Sequence, residues 1–472
     1  MKISLVKKSQ LYFLCSFAGL IILGTAMLRA PFCLKSEGTL GWLDAVFLSS
    51  SAVCVTGLQA VSMLDLTWTG QLTVLILIQL GGIGIMTLSA SIMLLLGHHL
   101  SYSGTLMIKN TGGKISNRGT EDLFRVVLYY TLICESAGFA ALWIFLSSDP
   151  NIPYLQAAWY ALFHSVSAFC NAGFILYPNN MPEVSDWLKI VLAMVFIAGG
   201  LGVYVIYDIR SAWRSALEDV RWQMPSAEAG LRQQGRELVR AVWIGSRALA
   251  GGRVRLTVQT RLVLYWTAGL LLAGTVCLWW VDHSSPSPIG WTDAFFLSAA
   301  CRTAGFCALD MTVISYGGLA VLILLMLIGA APGSTGGGMK VTTFALVMGG
   351  LFSTFKGTQQ VILFKRAVPP EDVLKAFVLL VTYLLLTASG AILLWRLTPG
   401  CTMKWALFES ASALATVGFE LENPVPLTAA GKGLLIAFMF IGRVGIFTFF
   451  LFLLGRERRS ALVYPEERMI VS

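Results

Sequence analysis

Phe47-Leu48-Ser49-Ser50-Ser51-Ala52-Val53-Cys54-Val55-Thr56-Gly57-Leu58 is the first of four copies of one pattern. A Phe is followed five residues later by Ala and five after that by Gly, then by Phe or Leu. The other copies are Phe163/Ala168/Gly173/Phe174, Phe295/Ala300/Gly305/Phe306 and Phe408/Ala413/Gly418/Phe419. Their glycines lie 116, 132 and 113 residues apart, and apolar segments flank each one. The repeated unit therefore reads as a hairpin of membrane helices with a re-entrant segment between them.

Composition supports a membrane setting. Of 472 residues, 56% are hydrophobic and 12% charged, and the mean hydropathy is +0.73, outside the range of soluble globular domains. Eight runs are long enough to cross the hydrocarbon core, at about 11–30, 71–97, 123–146, 187–207, 260–281, 317–350, 374–397 and 432–454. The first, preceded by Lys2, Lys7 and Lys8, resembles a signal peptide; its length and the need to partner 71–97 favour a retained span. The expected fold class is an all-α integral membrane protein. It has four pseudo-symmetric helix–pore-loop–helix units around a central pore, with eight transmembrane helices and four re-entrant half-helices. The units are 1–97, 98–209, 258–352 (with a broken inner helix) and 353–472 (with a C-terminal tail); 210–257 is a cytoplasmic linker or partner-docking insertion.

Basic residues set the orientation. Lys109, Lys114 and Arg118, ten Arg within 210–261, Lys356, Lys365 and Arg366, and Arg456, Arg458, Arg459 and Arg468 fall in alternate connections. The other connections have Asp65, Asp149, Glu183, Asp186, Asp282, Asp310, Glu420 and Glu422. Both termini are then cytoplasmic, and the re-entrant segments open outside. The net charge of +9 is a topology signal, with no nucleic-acid partner implied. Nine cysteines without metal-ligand spacing imply neither a disulfide framework nor a zinc site. His98-His99 is a lone pair, and no G-x-x-x-x-G-K-[ST] loop is present, so enzyme signatures are missing.

Short segments at 41–53, 153–169, 289–301 and 404–414 are too brief to span and read as half-helices. After them come Val55-Thr56-Gly57-Leu58, Asn171-Ala172-Gly173-Phe174, Thr303-Ala304-Gly305-Phe306 and Thr416-Val417-Gly418-Phe419. Glycine lets successive carbonyls turn toward an axis, and four such strands make a ring of oxygens able to replace the hydration shell of an alkali cation. The half-helix C-termini add negative potential at the same point.

Gly329-Ala330-Ala331-Pro332-Gly333-Ser334-Thr335-Gly336-Gly337-Gly338 interrupts the third inner helix. Such a break is tolerated only inside protein or beside water. It reads as a gate below the ring, with Ser334 and Thr335 supplying hydroxyls and Lys340 at its cytoplasmic end. Arg443 lies in the fourth inner span, where a charge is costly and faces a protein or water interior. Two roles are open: a positive barrier below the ring, or a structural partner of Glu135 or of the gate-loop carbonyls. Glu409 and Arg302 are expected to pair behind the ring, and His164 and Asn171 to hold the second half-helix.

These phrases, with Gln79-Leu80-Gly81-Gly82-Ile83-Gly84, Gly199-Gly200-Leu201-Gly202 and Gly442-Arg443-Val444-Gly445, resemble the Trk/Ktr/HKT superfamily of potassium transporters. The chain looks most like the Ktr membrane subunit, because the first hairpin begins near residue 11. The resemblance implies a plasma (inner) membrane location and potassium as substrate at the filter carbonyls. In that superfamily a serine at the first filter glycine goes with sodium preference, and Gly57 occupies it here. No covalent cofactor is expected. A homodimer and a cytoplasmic nucleotide-binding regulatory subunit of the KtrA/TrkA type are implied, nucleotide entering only through that partner. A sodium-coupled or sodium-permeant transporter and a non-transporting scaffold with a pore-like fold are the alternatives.

Overall fold

The computed structural model describes residues 2–35, 38–95, 117–150, 152–177, 185–221, 256–283, 288–358, 360–422 and 425–446. Most of the expected linker, the basic segment before residue 117, His98-His99, Glu183 and the Arg-rich tail lie outside the described residues.

The described residues are mostly helical. Among the described residues, four helices are long and apolar enough to cross a membrane: Trp68–Thr87, Phe124–Leu146, Val258–Asp282 and Pro370–Leu397. Leu14–Leu28, Tyr316–Leu327 and Val341–Phe355 are apolar but shorter. Four short helices, Trp42–Cys54, Tyr154–Phe169, Trp291–Ala300 and Met403–Ala415, cover the segments that the sequence marks as too brief to span. Each follows a longer outer helix (Lys2–Leu28, Asn117–Leu146, Val258–Asp282, Pro370–Leu397) and precedes an inner helix (Trp68–Leu95, Asp186–Leu201, Tyr316–Leu327, Ala429–Val444).

One device, absent from the sequence reading, seats every short helix. Gly24, Gly138, Gly274 and Gly390 in the outer helices leave room for Ser49, Ser165, Ser298 and Ser410, whose hydroxyls a Cβ would strike. Each serine donates to the carbonyl three residues before that glycine: Ile21 at 2.8 Å, Glu135 at 2.7 Å, Leu271 at 3.0 Å and Thr387 at 3.0 Å. The hydroxyl is thereby satisfied within an apolar wall, where an unpaired one is costly. The inner helices begin just as regularly. Thr67, Ser185, Ser315 and Thr428 accept at their N-termini from Gly70, Leu188, Gly318 and Gly431, filling the N-cap role. Every inner helix packs on its own short helix and on the next in sequence, and Ala429–Val444 packs on Trp42–Cys54, so the order closes on itself.

Two features of the helices differ from the sequence expectation. The expected break is in the third inner helix alone, yet Asp186–Leu201 also ends abruptly and meets Val203–Trp213 at 86°. The hinge is Gly202, at φ 85°, and Val203 N–H donates to Gly333 at 3.0 Å instead of continuing the helix. The second departure is register. In the third copy Phe296, not Phe295, is the buried counterpart of Phe47, Phe163 and Phe408. Correspondingly, Thr56, Ala172 and Val417 N–H reach back five residues to Ser51, Ser167 and Ser412, each at 2.8 Å, whereas Ala304 reaches back four, to Ala300 at 2.9 Å. The third copy is one residue shorter between its Phe and its Gly.

Candidate functional site: four glycine strands over a loop

Each glycine phrase has the same backbone signature. Val55, Asn171, Thr303 and Thr416 have φ of 55°, 58°, 71° and 51°, and Gly57, Gly173, Gly305 and Gly418 have φ of 102°, 71°, 72° and 93°. Left-handed backbone is costly for any side chain and most so for β-branched Val and Thr, about 1–3 kcal/mol each. Two left-handed residues flanking one other turn successive carbonyls toward one side, whereas carbonyls of a regular strand alternate. Serines support the turn. Gly57 and Gly418 N–H each donate to the Ser51 and Ser412 hydroxyls at 3.1 Å, while Ser167 donates to Phe174 O at 2.9 Å.

The four phrases meet in sequence order. A Cβ on Gly57 would strike Ala172 O, on Gly173 Ala304 O, on Gly305 Val417 O, and on Gly418 Thr56 O. Neighbouring strands are therefore packed backbone to backbone, and any larger residue forces them apart. Gly81, Gly199 and Gly442 of the inner helices press equally closely on the carbonyls of Val53, Phe169 and Leu414.

The loop 328–340 lies directly beneath. Gly336 and Gly337 abut the hydroxyls of Thr303 and Thr416. Its backbone is tied to the Gly202 hinge: Ala331 N–H donates to Gly200 O at 3.0 Å, Thr335 N–H to Gly199 O at 3.3 Å, and Val203 N–H to Gly333 O. The Ser334 and Thr335 hydroxyls both donate to carbonyls that hold the loop in place. Ser334 donates to Ala331 O at 2.6 Å and Thr335 to Phe169 O at 3.0 Å. Lys340 Nζ turns back onto Gly336 O at 2.7 Å and Gly337 O at 3.4 Å. Gly329 N–H donates to Met339 O at 2.8 Å, and Gly338 takes φ 65°. Pro332 O lies against Gly202.

Arg443 is buried and bridges two elements. Nη1 donates to Thr335 O of the loop and Nη2 to Gly81 O of the first inner helix at 3.0 Å. Glu135 is not its partner, since Gln79 Nε2 donates to both carboxylate oxygens of Glu135, at 2.9 and 3.1 Å.

Glu409 and Arg302, expected to pair behind the ring, do not pair. Arg302 Nη2 donates to Thr267 at 3.2 Å, and Glu409 Oε1 accepts from Leu421 N–H at 3.0 Å. Glu409 has a counterpart in His164, whose Nε2 accepts from Leu176 N–H at 3.1 Å while Nδ1 faces Tyr160 O at 2.6 Å. The Leu176 N–H fixes the tautomer with the proton on Nδ1. Both residues stand nine positions before their glycine and bind the residue three after it. The Asn171 amide, turned to suit its neighbours, donates to Phe196 O at 2.9 Å and Ala168 O at 3.0 Å.

Apolar helices long enough to cross a membrane, packed around four glycine phrases, are the setting of a membrane protein. The family described as TrkH, cation transport protein, matches residues 20–220 and 281–456. This chain belongs to that TrkH family. It is 33% identical to Ktr system potassium uptake protein B of Vibrio alginolyticus, over 97% of this chain and 93% of the relative. It is 29% identical to the Ktr system potassium uptake protein B of Bacillus subtilis, over 94% and 93%, and to the potassium/sodium uptake protein NtpJ of Enterococcus hirae, over 96% and 94%. The crystal structure of the potassium transporter TrkH from Vibrio parahaemolyticus superposes with a TM-score of 0.67 at 20% identity, over 95% of this chain and 85% of that one.

Proposed function

We propose that this chain carries potassium across the plasma membrane through one filter built from the four glycine phrases. The carrying observation is the cyclic contact of Gly57, Gly173, Gly305 and Gly418 with the next strand's carbonyls, each strand in the same left-handed conformation. Converging carbonyls replace the hydration shell of a monovalent cation, and four short-helix C-termini add negative potential. The four units comprise eight spans around the ring, with both termini cytoplasmic and the phrases opening outside.

Below the filter, the loop 328–340 is the gate. Arg443 and the Gly199–Val203 turn hold it closed, and Lys340 occupies two of its carbonyls. Opening withdraws the loop from beneath Thr303 and Thr416. The Vibrio alginolyticus and Bacillus subtilis relatives are named as proteins of a Ktr system, and we assign this chain a cytoplasmic nucleotide-binding regulatory subunit and a homodimeric state. Potassium is in the name of each of these uptake relatives and sodium stands beside it in only one of the three, so potassium uptake is favoured over the sodium-permeant and scaffold readings.

The test is growth of a potassium-uptake-deficient cell at limiting potassium. The wild-type chain restores growth, and deleting 330–336 raises the uptake rate. A properly inserted chain that fails to rescue would remove the transport reading, and unchanged uptake in the deletion would remove the gate.

A further inference from the structure

The connection after the gate-bearing helix ends in a small β-hairpin, Ile362–Leu363 paired antiparallel with Arg366–Ala367. Its two turn residues are Phe364 and Lys365, with φ of 49° and 64°. A tight turn with two left-handed residues is formed most cheaply by Asn-Gly, so an aromatic and a lysine there carry strain. Strain held at an exposed tip points to a use for the side chains displayed.

The surroundings say what that use is. Phe364 stacks on Tyr265, with ring centroids 5.6 Å apart and planes at 26°. Tyr265 is exposed on the apolar helix Val258–Asp282, so the stack sets the hairpin against the exposed side of a helix long and apolar enough to cross a membrane. Phe352, Phe355 and Ile362 are exposed beside it, with Phe355 84% accessible, and Leu374 and Val378 of the next apolar helix continue the surface. Lys356, Lys365 and Arg366 are exposed among them, and none has an ion-pair partner among the described residues. The acids at the base, Glu371 and Asp372, open the next helix, where Asp372 pairs with Lys375 at 3.3 Å.

We infer that this hairpin is a binding site for anionic phospholipid of the cytoplasmic leaflet. Phe364, Ile362 and Phe355 enter the acyl boundary, while Lys356, Lys365 and Arg366 take the phosphate headgroup. Aromatic rings sit favourably at that interface, and unpaired basic residues there attract an anionic leaflet. The inference rests on the cytoplasmic placement of this connection in the proposed function. By anchoring the segment that joins the gate-bearing helix to the next span, a bound lipid fixes the far end of Val341–Phe355.

The test uses the full chain in nanodiscs, with a polarity-sensitive fluorophore on Gln360→Cys and the exposed Cys15 and Cys277 changed to serine. Phosphatidylcholine alone is compared with an equal mixture with phosphatidylglycerol. Expected are blue-shifted emission and quenching by brominated acyl chains that deepen with phosphatidylglycerol. Lys365→Gln with Arg366→Gln should weaken that response about 25-fold in anionic-lipid titration. Water-like emission in both lipids would overturn the site, as would burial seen only after a cytoplasmic protein fraction is added. Labelling of Gln360→Cys in intact cells by an impermeant thiol reagent would instead refute the orientation. The nanodiscs, open on both faces, would still judge the lipid site.

Discussion

Replacing Arg443 by lysine separates the two roles that a buried arginine below the filter can have. Arg443 spans from Thr335 O of the loop 328–340, the proposed gate, to Gly81 O of the helix Trp68–Leu95, which a guanidinium fork can do and a single ammonium cannot. Arg443→Lys keeps the positive charge and one of the two bonds. A hydrogen bond from a charged donor contributes about 1.5–3 kcal/mol, so losing one lowers the closed-to-open ratio by a factor of about 10 to 150. Potassium uptake per inserted molecule, in proteoliposomes and in potassium-deficient cells, should rise as that ratio falls, until the filter limits it. Arg443→Gln should raise it at least as far. If the lysine variant transports at the wild-type rate while the glutamine variant is faster, the residue is a charge barrier and the latch is refuted. If neither differs from wild type, Arg443 does not control the pathway.

Gly57→Ser should lower the preference for potassium over sodium in paired uptake measurements, since a side chain there meets Ala172 O and spreads the strands. Glu409→Leu, which leaves the buried Leu421 N–H without an acceptor, should cost about 1–3 kcal/mol, seen as a lower Tm in detergent; Glu409→Gln, keeping an acceptor, should cost less. Gly442→Ala and Gly199→Ala drive a methyl into the Leu414 and Phe169 carbonyls, so folded yield by size exclusion should fall sharply. Gly19→Ala, with nothing within 4 Å of its added Cβ, should leave that yield unchanged.

The repeat was legible because chemistry forces it: glycines at left-handed positions tolerate few substitutes, and four copies fixed the half-helices to within a residue or two. The third copy's register was also written in the chain, in Gly41-Trp42-Leu43-Asp44-Ala45-Val46-Phe47 beside Gly290-Trp291-Thr292-Asp293-Ala294-Phe295-Phe296. Aligning the tryptophans, and not the glycines, selects Phe296. The outer-helix glycines escaped notice because Gly in an apolar run has many uses, and only the paired serine reveals this one. The Gly202 hinge was not legible, since Leu201-Gly202-Val203 reads as helix until Gly333 O is there to take the Val203 N–H. Glu409 was misassigned because opposite charge suggested Arg302; its position nine before the glycine, shared with His164, was the better signal.

The central claim is that four glycine strands select potassium along one path. Its most direct test is potassium against sodium flux through the purified chain in proteoliposomes, wild type beside Gly418→Ala. Potassium flux should exceed sodium flux in wild type, and the discrimination should collapse in the variant, whose methyl meets Thr56 O. Equal fluxes of the two ions in wild type, or unaltered discrimination in a folded Gly418→Ala, would contradict the account.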